Sequence, residues 1–427
     1  MKHIFILFSI FCFANTYAVA QKVDYGFGSL PTAGKPRPIT NGMMRSSITL
    51  PSNVPPSNVA RKGYHLIVQD EFDGDKLDTL RWVRSAFKDD YPCLDVVNAE
   101  MYPDNVVVRN GVCSLRVTDD QHSNCRRSAS EIKTFSVDTV RHFEPYSFPK
   151  NSYIEFRILM PFGECVGSAA WLYAYYQGKY NEWDIWETYG KYRDQLQHTY
   201  IFELPDKSWL HDAVRITYRN ADKTKFDFSK QWVNVAMDWD STAVNTYVNG
   251  VRVRHINLSD APPCLWEWQT RDKFTKTKKC CYTPYPQPIP FTLRFNVGGC
   301  LGCTKLDSNA LKKNLPAALQ IDYVRAYIKD CAAACDFINP PKTIVWRFNS
   351  YGGAGFAVPY FPYAKYEWSS EAFIFCTQPK EGCKPHAVWG NLKPNLKMGA
   401  NYPVTVKVTF QSGYTETHTT QVIVISD

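Results

Sequence analysis

Short runs in which apolar and polar residues change places at every step constrain this chain more than any other feature. In "SYIEFRILM", Tyr153, Glu155 and Arg157 alternate with Ile154, Phe156 and Ile158. In "WVNVAMDW", Val233, Val235, Met237 and Trp239 alternate with Asn234, Ala236 and Asp238. A period of two belongs to β-strands, whose successive side chains point to opposite faces. "NTYVNGVRV" holds Asn249-Gly250, the strongest short hairpin signal. Convincing helical periodicity is absent, and the stretch nearest to it, "SNALKKNLPAALQ", is interrupted by Pro316. These patterns predict an all-β domain of two packed sheets. Aromatic residues make up 15% of the chain, which suits sheet cores and sugar-facing platforms alike.

The ends of the chain read differently. Lys2 and His3 precede the apolar stretch Ile4 to Phe13, and Ala18-Val19-Ala20 has the small-x-small form of a cleavage site. Residues 1–20 are therefore expected to be a signal peptide removed before Gln21. The stretch is shorter than the roughly 18 to 20 apolar residues of a spanning helix, so no transmembrane segment is expected. The protein is expected to be secreted, periplasmic or held at the cell surface. Residues 21–60, rich in Pro, Ser, Gly and Asn, read as a flexible lead-in. "CAAACDFINPPKTI" (331–344) reads as a domain boundary, with a Cys331-x-x-x-Cys335 clip and Pro340-Pro341. Beyond it, Val404, Val406, Val408 and Phe410 alternate, as do Val422 and Val424, with Ser412-Gly413 between the two runs. A second, small β-sandwich is expected there.

Cysteine usage agrees with export. Of 14 cysteines, Cys12 lies in the leader, and the 13 that remain fit several disulfides in an oxidising compartment. Their connectivity is open, and Cys280, Cys281, Cys300 and Cys303 are also an available four-sulfur zinc set. The net charge of +8 comes from scattered residues with no basic run, so no nucleic-acid partner is expected. The protein is taken as a monomer.

"NEWDIWETYG" (181–190) sets three carboxylates, Glu182, Asp184 and Glu187, among Trp183, Ile185 and Trp186. In a strand, Glu182 and Asp184 share a face, while Glu187 falls on the other. One extra residue, a β-bulge, brings Glu187 back, and bulges are found beside active sites. All three acids then line one face while the apolar residues pack behind them. Two carboxyls on one face are what glycosidic bond cleavage requires: one ionised to attack the anomeric carbon, one protonated to release the leaving oxygen. A third acid between them can help to separate their pKa values.

Glu-x-Asp-x-x-Glu resembles the signature of glycoside hydrolase family 16, which includes β-1,3-glucanases, agarases, carrageenases and porphyranases. Other stretches follow in family order: "QDEFDGDKLDTLRW" (69–82), "NVVVRNGVCSLRV" (105–117), "SEIKT" (130–134), "SYIEFRILMP" (152–161), "AAWL" (169–172), "QHTY" (197–200), "WVNVAMDWDSTAVNTYVNG" (232–250), "PFTLRFNVGG" (290–299) and "LQIDYVRAY" (319–327). The resemblance runs from Tyr64 to Ile328. It implies a two-sheet, concanavalin A-like jelly-roll sandwich holding a polysaccharide chain on its concave face. It also implies a retaining endo-hydrolase, with Glu182 as nucleophile, Asp184 as its hydrogen-bonding helper and Glu187 as acid/base. Trp171 and His198 would touch the sugar, and Glu71, Gly111 and Asp322 match positions that hold a structural calcium in parts of the family. No cofactor is required for catalysis. Trp183 and Trp186 depart from the usual aliphatics, and Gly167 stands where a platform tryptophan is common. These departures leave a β-glucan and a decorated galactan as substrate candidates, and a glycan-binding protein or a transglycosylase as alternatives to a hydrolase.

Residues 336–427 resemble a PKD-type, immunoglobulin-like domain, most clearly at "YPVTVKVTFQSGYTETHTTQVIVIS". The expected layout is a signal peptide (1–20), a flexible lead-in (21–60), a family-16 domain (61–330) and a PKD-type spacer (336–427).

Overall fold

The alternating runs form strands. Ser152–Leu159 and Val233–Trp239 pair antiparallel, with Phe156 opposite Val235. Their apolar members, Ile154, Phe156, Ile158, Val233, Val235 and Met237, are buried. At the predicted hairpin, Ala243–Val248 and Val251–Asn257 are joined through Asn249 and Gly250. Both turn residues have positive φ (49° and 78°), as a primed two-residue turn requires. A computed structural model of the chain describes residues 45–86, 99–120, 127–135, 143–163, 166–176, 179–188, 190, 192–203, 209–260, 265–268, 278–279, 290–299, 315–330, 332–346, 353–376 and 383–426. The expected signal peptide and the Cys280, Cys281, Cys300, Cys303 set lie outside them. Among the described residues the sole helical element is one 3-10 turn, Pro103–Asn105, and no helix is long and apolar enough to cross a membrane.

The chain divides into two compact units. Of the described residues, the larger comprises 45–62 and 69–329, and the smaller 63–68 and 330–426. The larger unit is a sandwich of two sheets. One sheet runs, edge to edge, Trp209–Arg219, Gln195–Glu203, Lys179–Glu187, Val166–Tyr176, Thr292–Gly299 and Arg127–Lys133, with short strands at either margin. The other runs Val251–Asn257, Ala243–Val248, Val233–Trp239, Ser152–Leu159, Ala317–Lys329, Val112–Val117 and Val106–Arg109. Consecutive strands are often not neighbours, the crossing pattern of a jelly roll.

Between the sheets lies an aromatic core. Phe156 meets Trp186 at 5.2 Å and Phe295 at 5.1 Å, and Trp239 meets Phe291 at 5.8 Å. Trp186 is fully buried. Trp186→Ala is therefore expected to destabilise by about 3–5 kcal/mol in denaturant unfolding, the range for a large aromatic lost from a packed core. Trp186→Phe should cost less, because among the described residues the indole N–H has no hydrogen-bond partner to lose.

The expectation of a flexible lead-in fails from Arg45 onward. Arg45–Thr49 is a strand pairing parallel with Trp209–Arg219. The Pro- and Ser-rich stretch after it is strapped across the outer, polar face of the second sheet. The carbonyls of Pro51 and Pro55 accept from the side chains of Asn249 (2.8 Å) and Asn234 (2.9 Å). The Ser57 carbonyl accepts from Arg325 (2.8 Å) and the Val59 carbonyl from Tyr327 (3.0 Å). Composition signalled an absence of regular structure here, but these fixed side-chain donors bind the irregular backbone as firmly as a ladder would.

In the smaller unit, Thr343–Trp346, Thr415–Ser426, Asn401–Thr409 and Lys365–Ser370 form one sheet. Gly353–Ala357, Ala387–Leu392 and Phe373–Phe375 form the other. Ile344, Phe356, Phe373, Val388, Val404, Val422 and Val424 fill the space between them. The expected alternation at Val404, Val406, Val408, Phe410, Val422 and Val424 is fully buried, with Gly413 at φ 88° in the turn. The expected Cys335 clip is corrected: Cys335 is a free, buried thiol, as is Cys113. The disulfide among the described residues joins Cys376 and Cys383.

Candidate active site

The strand Lys179–Glu187 lies between Val166–Tyr176 and Gln195–Glu203, and both neighbours record a bulge in it. Glu182 is opposite Tyr173 and Ile201, and Asp184 opposite Trp171 and Thr199. After the register shift, Glu187 is opposite Ala169 and Gln197. The partners on each side step by two residues, so the three acids share one face. Trp183, opposite Leu172 and Tyr200, and Trp186, opposite Ala170, belong to the other. Trp183 stacks on Tyr200 at 3.7 Å within the core. The two unusual tryptophans thus build the sandwich interior and leave the acid face unaltered.

Each outer acid has its own donors. Glu187 Oε2 accepts from Gln197 Nε2 and Thr199 Oγ1, both at 3.0 Å, and Arg215 donates to Gln197 Oε1 at 3.3 Å. Glu182 accepts from the hydroxyl of Tyr180, two residues back on the same face. Burial, and then the Glu182 charge, push the Tyr180 phenol well above its ordinary pKa, so it stays a donor. Asp184, buried between the two glutamates, completes the row.

Trp171 stands on the acid face, part-exposed. Its indole N–H donates to Asn296 at 2.9 Å, and its ring faces the Arg294 guanidinium at 4.4 Å. Arg294 is fully buried, stacks also on Phe135 at 4.3 Å, and pairs with Glu131 at 3.7 Å. Lys133, at 3.9 Å, and the Ser85 hydroxyl, at 2.6 Å, also meet Glu131. A buried cluster of two cations and one carboxylate therefore lies beside the tryptophan on the same face as the acids.

His198 is placed otherwise than expected. It faces the core, 1% exposed, and its ring nitrogens bond to the Ile185 carbonyl and the Tyr218 hydroxyl. The strand's period explains the difference: Gln197 and Thr199 take the acid face, so the residue between them cannot. The two carboxylates expected at a calcium site are each engaged by an arginine. Both oxygens of Glu71 are held by Arg325, at 2.6 and 2.7 Å, and Asp322 pairs with Arg157 at 2.8 Å. Gly111 sits at φ 73° in the turn between Val106–Arg109 and Val112–Val117. Calcium needs six or more oxygens, and here a guanidinium already neutralises the first carboxylate, so these residues do not fit the ion. A chelator is expected to leave the melting temperature unchanged. Arg325→Ala should cost about 2 kcal/mol, because it frees Glu71 and the Ser57 carbonyl together. An equal fall in melting temperature with chelator would reverse this assignment.

Gln197, Thr199, Tyr180 and Arg215 were not anticipated as site residues. Tyr180 carried a usable signal, standing two residues before Glu182 and thus on its face. The others depend on cross-strand register.

No protein-family model matches the chain. Glucan endo-1,3-beta-glucosidase A1 of Niallia circulans is 23% identical over 320 residues, covering 71% of this chain and 43% of that protein. The chain thus spans less than half the length of this relative. The catalytic domain of an endo-1,3-beta-glucanase (laminarinase) from Thermotoga petrophila RKU-1 superposes with a TM-score of 0.46 at 18% identity, covering 62% of this chain and 98% of that one. The endo-beta-1,3-glucanase of Pyrococcus furiosus gives 0.44 at 16% identity, covering 62% and 95%.

Proposed function

We propose that this chain is an endo-acting, retaining glycosidase of the glycoside hydrolase family 16 type that cuts internal β-linkages of a β-1,3-linked glucan. The observation that carries the reading is the bulge, which places Glu182, Asp184 and Glu187 in one row on one sheet face. The similarity to an endo-1,3-beta-glucosidase supports the choice of glucan. Glu182 attacks the anomeric carbon, forming a carbon–oxygen bond as the glycosidic bond breaks. Glu187 gives its proton to the departing oxygen. Water then attacks the glycosyl-enzyme ester, returning a proton to Glu187 and freeing Glu182. Tyr180 orients Glu182 by holding one of its oxygens, and Gln197 and Thr199 orient Glu187. Trp171 offers an indole to the sugar.

Export by the leader peptide, disulfides among the remaining cysteines, action as a monomer and a PKD-type spacer role for the smaller unit belong to the same reading. Product chromatography and reducing-end release on laminarin, agar, porphyran and carrageenan test it. Oligosaccharide intermediates from laminarin are expected. Cleavage of a galactan instead would move the substrate and keep the chemistry. Monosaccharide alone would defeat endo action, and binding without release would leave a glycan-binding protein.

A further inference from the structure

A bulge leaves one residue without an opposite number. Here the register passes from Asp184–Trp171 to Trp186–Ala170 on one side, and from Asp184–Thr199 to Glu187–Gln197 on the other. Ile185 is skipped by both neighbouring strands, and it is buried. A buried backbone carbonyl is costly to leave bare. The Ile185 carbonyl lies 2.5 Å from His198 Nδ1. Because a carbonyl can only accept, Nδ1 carries the proton. Nε2 then has its lone pair free to accept, and the Tyr218 hydroxyl, 2.8 Å away, donates to it. Burial keeps the imidazole neutral, lowering its pKa to about 3, and the Arg254 guanidinium, which donates to the His198 carbonyl at 2.7 Å, adds to this.

The strand Gln195–Glu203 therefore grips the bulge from both faces. Gln197 and Thr199 hold the Glu187 carboxylate on one side, and His198, between them in sequence, holds the Ile185 carbonyl on the other. We propose that His198 is a positioning residue for Glu187: by bonding the carbonyl of the bulged residue Ile185 from the core side, it keeps Glu187 on the face of Glu182 and Asp184. This inference rests on the catalytic reading above. Without the bond the bulge can relax, and Glu187 then turns from its donors.

Two variants of the full chain separate this role from simple packing. His198→Asn keeps an N–H where Nδ1 stands but leaves a cavity, whereas His198→Leu fills the space and offers no donor. A packing role predicts that Leu is the better replacement, and the positioning role predicts Asn. In protein labelled with δ-13C glutamate, the Glu187 resonance is assigned by its loss in Glu187→Gln. It is expected to stay near its wild-type position in His198→Asn and to move in His198→Leu, whatever the order of their melting temperatures. On laminarin, kcat should fall about a hundredfold for Leu with KM little changed, the scale of a misplaced catalytic group, and recover in Asn. If His198→Leu does not fold, His198→Met, which also lacks the donor, makes the same comparison. A Glu187 resonance unmoved in the Leu or Met variant, or displaced equally in Asn and in whichever of these folds, overturns the proposal. A Glu187→Gln variant as active as wild type on laminarin would instead remove the catalytic reading beneath it, even with the resonances behaving as expected.

Discussion

Glu182→Gln is expected to reduce polysaccharide cleavage by a factor of about 10³ or more, while folding and glycan binding persist. Glutamine has the same shape, and its amide oxygen can still accept from the Tyr180 hydroxyl, so the strand keeps its local bonds. What disappears is the negative oxygen that would form the bond to the anomeric carbon. The measurement is reducing-end release by purified variant and wild type, with melting temperature and polysaccharide retardation as controls. More than about a tenth of the wild-type rate would show that another group is the nucleophile, since losing a catalytic group costs orders of magnitude. Tyr180→Phe, by comparison, should lower the rate about tenfold, the worth of one hydrogen bond to a charged group.

Glu187→Gln separates the second role by its dependence on the leaving group. A sugar hydroxyl leaves poorly without a proton, so on polysaccharide the loss should be about 10² to 10⁴. A dinitrophenyl glycoside needs no proton, so its first step should proceed near the wild-type rate and show a burst of phenolate. The amide can still take one hydrogen bond from Gln197 or Thr199, which keeps the side chain on its face. Equal losses on the two substrates would contradict the assignment of Glu187 as the acid.

The bulge itself was legible, because three acids at that spacing can share a face only if one residue is extra, and Ile185 is that residue. The strands around it were legible for a similar reason: alternation is a local property. His198 was misplaced because its face depends on which residue of the neighbouring strand stands opposite Glu187, and register is set by pairing across the sheet. The pairing of Glu71 was not legible, because its partner Arg325 lies 254 residues away in sequence. The lead-in was misread because Pro- and Ser-rich sequence reports the lack of a repeating backbone, whereas order there comes from Asn234, Asn249, Arg325 and Tyr327 on distant strands.

That strap has a consequence for the order of events in folding. It is synthesised before everything it binds: Pro55 waits for Asn234, 179 residues later, and Ser57 for Arg325, 268 residues later. Its donors sit on different strands of the second sheet, so the strap can close only on strands that are already paired. The jelly roll must assemble its central strands first and receive the strap last. Until then the polar outer face of the second sheet stands uncovered, with Glu155 and Arg325 in water. The strap is therefore a latch, and its closure marks the end of folding rather than its beginning.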